Sequence, residues 1–235
     1  MEAPLQGRIV AIAGAAGGLG PVVARTLAGR GATLALTDVS EERLGRLADE
    51  LALPEERLEA RVVDLLDERA AREWADALAQ RFGRIDALAH LVGGWRGGEP
   101  LPTAPLADYE WLHDLLVRTV QHATRAFHDH LAHERGRFVL VSSTQAQRPS
   151  ATDAAYAAAK AAAEAWTLAL ADSLRPHGAT ANIVVVNAIL TPQMAAEDPG
   201  PHPELTPAED IAEAISFLLS DAAARMTGAR LELHP

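Results

Sequence analysis

The sequence predicts a single doubly wound α/β domain over residues 1–235, a parallel seven-stranded sheet with helices on both faces. Short apolar runs alternate with helical patterns from one end of the chain to the other, as expected for strands joined by crossover helices. A glycine-rich turn joins the first apolar run to the first helix. The 235 residues, 49% of them hydrophobic, suffice for one large core, and neither a boundary nor an internal repeat divides them.

The elements follow in order. Residues 8–13 read as a buried strand and 19–30 as a helix. Residues 32–37 form a second strand ending at Asp38, and Ser40 suits the N-cap of a helix reaching about residue 52. A third strand, 58–63, ends at Asp64; a helix over 68–82 and a fourth strand over 87–92 follow. Residues 93–105 are a long Gly- and Pro-rich loop, and 108–133 a long helix. The fifth strand is 138–142. The helix over 154–174 is so rich in alanine that another backbone can approach it closely. After the sixth strand, 180–186, residues 192–207 carry five prolines and one glycine and read as a short substrate lid with little regular structure. A last helix, 208–219, and a last strand, 229–233, complete the chain.

Composition narrows the function. A net charge of −11 leaves no basic patch to meet phosphates, which argues against nucleic acid as a partner. With no cysteine, disulfides, thiolate catalysis and cysteine metal sites are excluded. No basic-then-apolar leader opens the chain and no apolar stretch reaches membrane-spanning length, so the expected setting is the cytoplasm, away from membranes.

The turn Gly14-Ala15-Ala16-Gly17-Gly18-Leu19-Gly20 follows a strand and opens a helix. Glycines there allow a tight turn close to a pyrophosphate, and the amides of the helix N-terminus meet the negative charge. Asp38 lies eighteen residues after Gly20, at the next strand end. A carboxylate there can accept both hydroxyls of an adenosine ribose and repels a 2′-phosphate. Neither Val39 nor Ser40 offsets it, so NAD (as NADH) is favoured over NADP, although Asp38 also suits the start of the following helix.

Lys160 is the only lysine; the other twenty basic residues are arginine. It stands four residues after Tyr156, one of two tyrosines, so the pair shares a helix face. An ammonium there can lower the phenol pKa and donate to a ligand, where a planar guanidinium is too wide. A tyrosine so tuned is a general acid/base near neutrality.

These features, with others along nearly the whole chain, resemble the short-chain dehydrogenase/reductase family. The turn glycines Gly14, Gly18 and Gly20, Asp64-Leu65 after the third strand, Ser143 thirteen residues before Tyr156, Lys160, Thr191-Pro192 and the segments 206–212, 217–218 and 226–228 match its motifs. The resemblance implies a Rossmann-type fold and a homodimer or homotetramer. It also implies an NAD(H)-dependent oxidoreductase acting on a small carbonyl or alcohol substrate. Tyr156 would exchange the proton with the substrate oxygen, Ser143 would hydrogen-bond that oxygen, and Lys160 would hold the nicotinamide ribose. Gly14, Gly18, Leu19, Gly20, Asp38, Asp64, Leu65, Gly93 and Thr191 would complete the cofactor site, with no metal.

The chain departs from that pattern at four places. His90-Leu91-Val92-Gly93 replaces Asn-Asn-Ala-Gly, Leu116 stands at the relay asparagine of the long helix, Val186-Asn187 replaces Pro-Gly, and Ala13 replaces a threonine. The loop Gly93–Gly98, with Trp95, is similar to that of dihydropteridine reductases, so a pterin-type NADH reductase is one alternative; the indole then either stacks on substrate or packs the loop down. A weakened NAD-binding sensor or partner subunit is the other. His113, His122, His128, His130 and His133 crowd the long helix and, with Trp166, suit a helix surface or subunit contact better than a metal site.

Overall fold

A computed structural model describes residues 4–233. Seven parallel strands form the central sheet: β1 (Ile9–Ala13), β2 (Thr33–Asp38), β3 (Leu58–Val62), β4 (Ala87–His90), β5 (Arg137–Ser143), β6 (Thr180–Val186) and, last in the chain, β9 (Arg230–Glu232). Their order is β3-β2-β1-β4-β5-β6-β9. The register sets Ala13 beside Thr37 of β2 and His90 of β4, and Ser143 beside Val186. Five of these strands are buried throughout, which explains why they read as continuous apolar runs rather than as alternating patterns.

On one face lie α1 (Gly20–Gly29), α2 (Glu41–Leu51) and α8 (Ala208–Leu219), sharing a core that includes Val23, Leu47 and Ile215. Covering the other face, α3 (Glu68–Phe82), α5 (Thr119–His133) and α6 (Ala154–Leu174) meet around Trp74, Phe127 and Leu170. Trp74 and Phe127 meet edge to face at 5.0 Å. Ser40 caps α2 as expected, accepting from the Arg43 amide at 3.4 Å, and Asp67 caps α3 by accepting from the Arg69 and Ala70 amides.

Two parts differ from the expected elements. The long helix is α4 (Leu106–His113) and α5 joined by a π-helical turn, Asp114–Arg118. Segment 192–207 is more ordered than its prolines suggest. It holds α7 (Pro192–Glu197), capped by Thr191, and ends in β8 (Leu205–Pro207), which pairs in parallel with β7 (Ala188–Leu190) just before the segment. Proline at the first helical position starts a helix rather than breaking one, because its missing N–H is not needed there.

The site's position follows from topology. The chain runs outward from β1 to β3 and then returns to lay β4 on the other side of β1. Loops leaving β1 and β4 at their carboxyl ends therefore diverge and open a crevice between them. No helix of the described residues is long and apolar enough to cross a membrane.

Candidate active site

The crevice holds a cavity of about 960 Å³. Gly14, Gly18, Leu19, Asp38, Asp64, Leu65, Gly93, Trp95, Ser143, Tyr156, Lys160 and Thr191 all line it. Of the residues the sequence assigns to the catalytic, cofactor or substrate site, Gly20 alone does not.

The turn glycines divide by task. Gly14 has a φ of +77°, and a Cβ on it would lie 2.8 Å from the Val92 amide nitrogen, so it is glycine to let the turn rest on the end of β4. At Gly20 a Cβ would overlap the Ala15 carbonyl, so this glycine lets α1 begin tightly against its own turn. Gly17 and Gly18 line the cavity itself. Among the described residues, nothing accepts a hydrogen bond from the amides of Gly18 or Leu19. Those free donors at a helix N-terminus fit the pyrophosphate of a dinucleotide.

Asp38 closes the far end. Its Oδ2 accepts from the Ala16 amide at 3.1 Å and its Oδ1 from the Ser40 amide at 3.1 Å. The carboxylate thus pins the glycine turn to the end of β2 as well as facing the cavity. It has a cation beside it after all: the Arg43 guanidinium lies 3.3 Å from Oδ1 and also lines the cavity. The two residues after Asp38 carry no cation, but the first turn of α2 brings Arg43 back to the strand end. Asp64 accepts from the Leu66 amide at 2.9 Å, which turns the chain after β3 and leaves buried Leu65 against the cavity.

Ser143 ends β5, and Tyr156 and Lys160 lie on the first turns of α6, so a strand end and a helix face bring the three together. Lys160 is 6% exposed, and its Nζ donates to the Val141 carbonyl at 3.0 Å and sits 5.8 Å from the centre of the Tyr156 ring. Burial lowers the Lys160 pKa to about 8, partly opposed by the Glu164 carboxylate. The expected lowering of the phenol by lysine is not found. Burial pushes the Tyr156 pKa up, a hydrogen bond with Ser143 pulls it back, and the Asp153 charge raises it further. The phenol is thereby kept as an acid, able to give up a proton to a ligand oxygen.

Leu116 is 2% exposed and packs with Leu112, Val117 and Ala159 beneath Tyr156. It is a support for α6 and offers no polar group. His90 is fully buried, and both ring nitrogens lack a partner among the described residues. Burial first, and the Lys160 charge second, lower its pKa to about 3.

On the open side, Trp95 is 59% exposed, and its Nε1 donates to Asp153 Oδ1 at 3.0 Å. Trp111, Leu115, Gln145, Asp153 and Asn187 join the lining there. The sequence reading missed them. A π-helical turn leaves no periodic signature, and Asp153 and Trp95, 58 residues apart, meet only through the fold. The lining ends at Thr191, short of the supposed lid. The helix histidines are spoken for locally: His122 Nδ1 donates to the Leu65 carbonyl at 2.9 Å, and His128 Nε2 lies 2.9 Å from Ser173 Oγ. Trp166 ties α6 to α5 by donating to Thr124 Oγ1 at 2.9 Å. No metal-binding cluster occurs among the described residues.

Comparison with known proteins agrees with this architecture. Residues 14–233 match the family described as Enoyl-(acyl carrier protein) reductase. The chain is 31% identical to the 2,3-dihydro-2,3-dihydroxybenzoate dehydrogenase of Bacillus subtilis, over 95% of this chain and 93% of that one. It is 28% identical to the 3-oxoacyl-(acyl-carrier-protein) reductase of Escherichia coli, over 97% and 96%. Among solved structures, a short-chain dehydrogenase/reductase from Brucella melitensis superposes with a TM-score of 0.87 at 28% identity, covering 100% of this chain and 98% of that one. One from Mycobacterium ulcerans shares the fold at a TM-score of 0.89 and 24% identity, over 98% and 89%. With its parallel sheet, crossover helices and glycine turn at the switch point, the chain belongs to the short-chain dehydrogenase/reductase family of oxidoreductases.

Proposed function

We propose that this chain transfers a hydride between NAD(H) and a small carbonyl/alcohol pair, with Tyr156 as general acid/base. The observation that carries the reading is that the free amides of the glycine turn, the Asp38 carboxylate and the group Ser143, Tyr156 and Lys160 all open on one cavity. A bound nicotinamide supplies or takes up the hydride. In the reducing direction Tyr156 gives its phenolic proton to the carbonyl oxygen, and Ser143 hydrogen-bonds the same oxygen and holds it in line. Lys160 carries a positive charge near that oxygen, which favours the negative charge developing there and on the phenol. Orientation within the crevice provides much of the acceleration. Leu116 offers no polar side chain, so the phenol is reprotonated by a route that does not use this helix position. The exposed Trp95 indole favours a pterin-type NADH reductase as a second reading. A homodimer or homotetramer is the assembly we expect, and analytical ultracentrifugation reads it.

The test is loss of NADH absorbance over ketones, aldehydes, quinones and quinonoid dihydropterins. At least one class should be reduced, and Tyr156→Phe should abolish that reduction while leaving NADH binding intact. Reduction undiminished in Tyr156→Phe overturns the assignment. Turnover confined to quinonoid dihydropterins selects the second reading.

A further inference from the structure

Resting on the oxidoreductase reading above, we propose that the substrate half of the cavity takes a small, flat, uncharged ring compound stacked on Trp95 and rejects acyl groups carried on anionic carriers. Three observations lead to it.

The first is that the loop after β4 is fastened in place. Gly98 donates its amide to the Thr152 carbonyl at 2.9 Å, and the Trp95 Nε1 donates to Asp153 Oδ1 at 3.0 Å. Asp153, three residues before Tyr156, is itself fixed by Ser150 Oγ, which donates to its Oδ2 at 2.6 Å. The glycines serve this closure. A Cβ on Gly97 would come within 2.5 Å of Asp153 Oδ1, and one on Gly94 within 2.9 Å of the Trp111 ring. The indole is therefore a set wall beside the phenol, and its exposed area gains by covering a planar ligand.

The second is the chemistry of the walls. Trp95, Trp111 and Leu115 are apolar, Asp153 adds a carboxylate beside them, and of the two cations of the lining Arg43 is paired with Asp38 while Lys160 is buried beside the Tyr156 ring. The third is the rim. The segments that contribute to the open side of the lining, residues 93–111, 144–153 and 187–191, carry the acids Glu99, Asp108, Glu110 and Asp153 against the cations Arg96 and Arg148. Arg96 is already paired with Asp108 at 3.1 Å and stacked on Trp111 at 4.1 Å. Such a mouth repels phosphate-bearing and acidic-protein carriers. The activity of the acyl-carrier reductases that this chain resembles therefore does not transfer with the fold.

The experiment compares 2-tetralone, a straight-chain ketone of similar size, the N-acetylcysteamine thioester of acetoacetate, and acetoacetyl-coenzyme A, using the NADH-saturated protein. Binding is measured by calorimetry and turnover by NADH oxidation. The ring ketone should bind and turn over best. The neutral thioester should exceed the coenzyme A ester by tenfold or more at low salt. Trp95→Leu should lower ring-ketone affinity by about 3–10-fold, the scale of aromatic stacking, with little change for the straight chain. Trp95→Phe should restore part of the loss, and Asp153→Asn should narrow the thioester gap. Coenzyme A ester preferred over the neutral thioester, or equal losses on ring and chain in Trp95→Leu, overturns the proposal. Ring-ketone binding that depends on Trp95, with no reduction of any class in the screen above, upholds the slot and defeats the proposed hydride transfer instead.

Discussion

Two buried bases show how this site trades stability for chemistry. Lys160 has its pKa lowered from 10.5 to about 8, chiefly by burial. An amine held below its unfolded value destabilises the fold in full below pH 8, and that cost fades as pH rises from 8 to 10.5. At most it is about 3 kcal/mol. The lost bond to the Val141 carbonyl offsets about 1 kcal/mol of the relief. Lys160→Met should therefore gain about 1–2 kcal/mol at pH 7, with turnover lost. Urea unfolding at pH 7 and pH 10 checks it, and a variant less stable at both makes Lys160 a structural residue. His90 follows the same sign at lower pH. Its pKa falls from 6.5 to about 3, with burial the larger cause and Lys160 the second. The unfolded chain takes up the proton that the folded one refuses, so stability drains away as pH falls from 6.5 towards 3. His90→Leu should lose less stability than the parent between pH 7 and pH 4, by about 2–3 kcal/mol. Equal acid sensitivity in the two proteins would show that His90 is solvated in the folded state.

At the scale of elements, the glycine turn separates folding from binding. Gly20→Ala forces a methyl group onto the Ala15 carbonyl and should cost the fold several kcal/mol. On Gly17 a Cβ meets the Gly14 carbonyl oxygen at an ordinary 3.4 Å, yet this residue faces the cavity. Gly17→Ala should melt within a degree or two of the parent and bind NADH at least tenfold more weakly; calorimetry and melting curves separate the two effects. If Gly17→Ala binds normally, the pyrophosphate is not seated at this turn. What could be read in advance followed the same division. Strand and helix positions follow from apolar runs and caps, and the five buried strands agree to within a residue or two because buried parallel strands are mostly apolar runs. The π-helical turn at Asp114–Arg118 left no mark, since one extra residue in a turn does not disturb a 3.6-residue pattern over so short a stretch. The pair β7–β8 spans three residues on each side, too few for a period, and its prolines suggested a loop. Within the site, residues carrying a spacing rule were legible: Ser143, Tyr156, Lys160 and the glycines. Arg43, Asp153 and Trp111 were not, because their place depends on how elements pack.

The molecule as a whole is an anion with a net charge of −11, and its cavity is offered to an anionic dinucleotide. The preference for NADH over NADPH proposed above would have two sources, which differ in range. The summed charge of the chain opposes the extra phosphate from a distance and is screened by salt. Asp38 opposes it locally from a carboxylate that is 8% exposed and fixed by two backbone amides. Arg43 beside it softens that repulsion, but its guanidinium is half exposed and its charge is screened by solvent. The local source should dominate. NADH at about a hundred times its dissociation constant stabilises by about 2.7 kcal/mol. For a chain of this size that is a rise in Tm of about 5–10 °C. NADPH at the same concentration should give a clearly smaller rise. The gap should persist at about 0.5 M salt, where the screening length falls to about 4 Å. Arg43→Ala should widen it. Asp38→Ala is the poorer probe, since it also removes the acceptor that holds the Ala16 amide and loosens the glycine turn. If salt abolishes the gap, the field of the whole chain and not Asp38 selects the cofactor. A larger rise with NADPH at low salt would reverse the assignment and make Arg43 the seat of the 2′-phosphate.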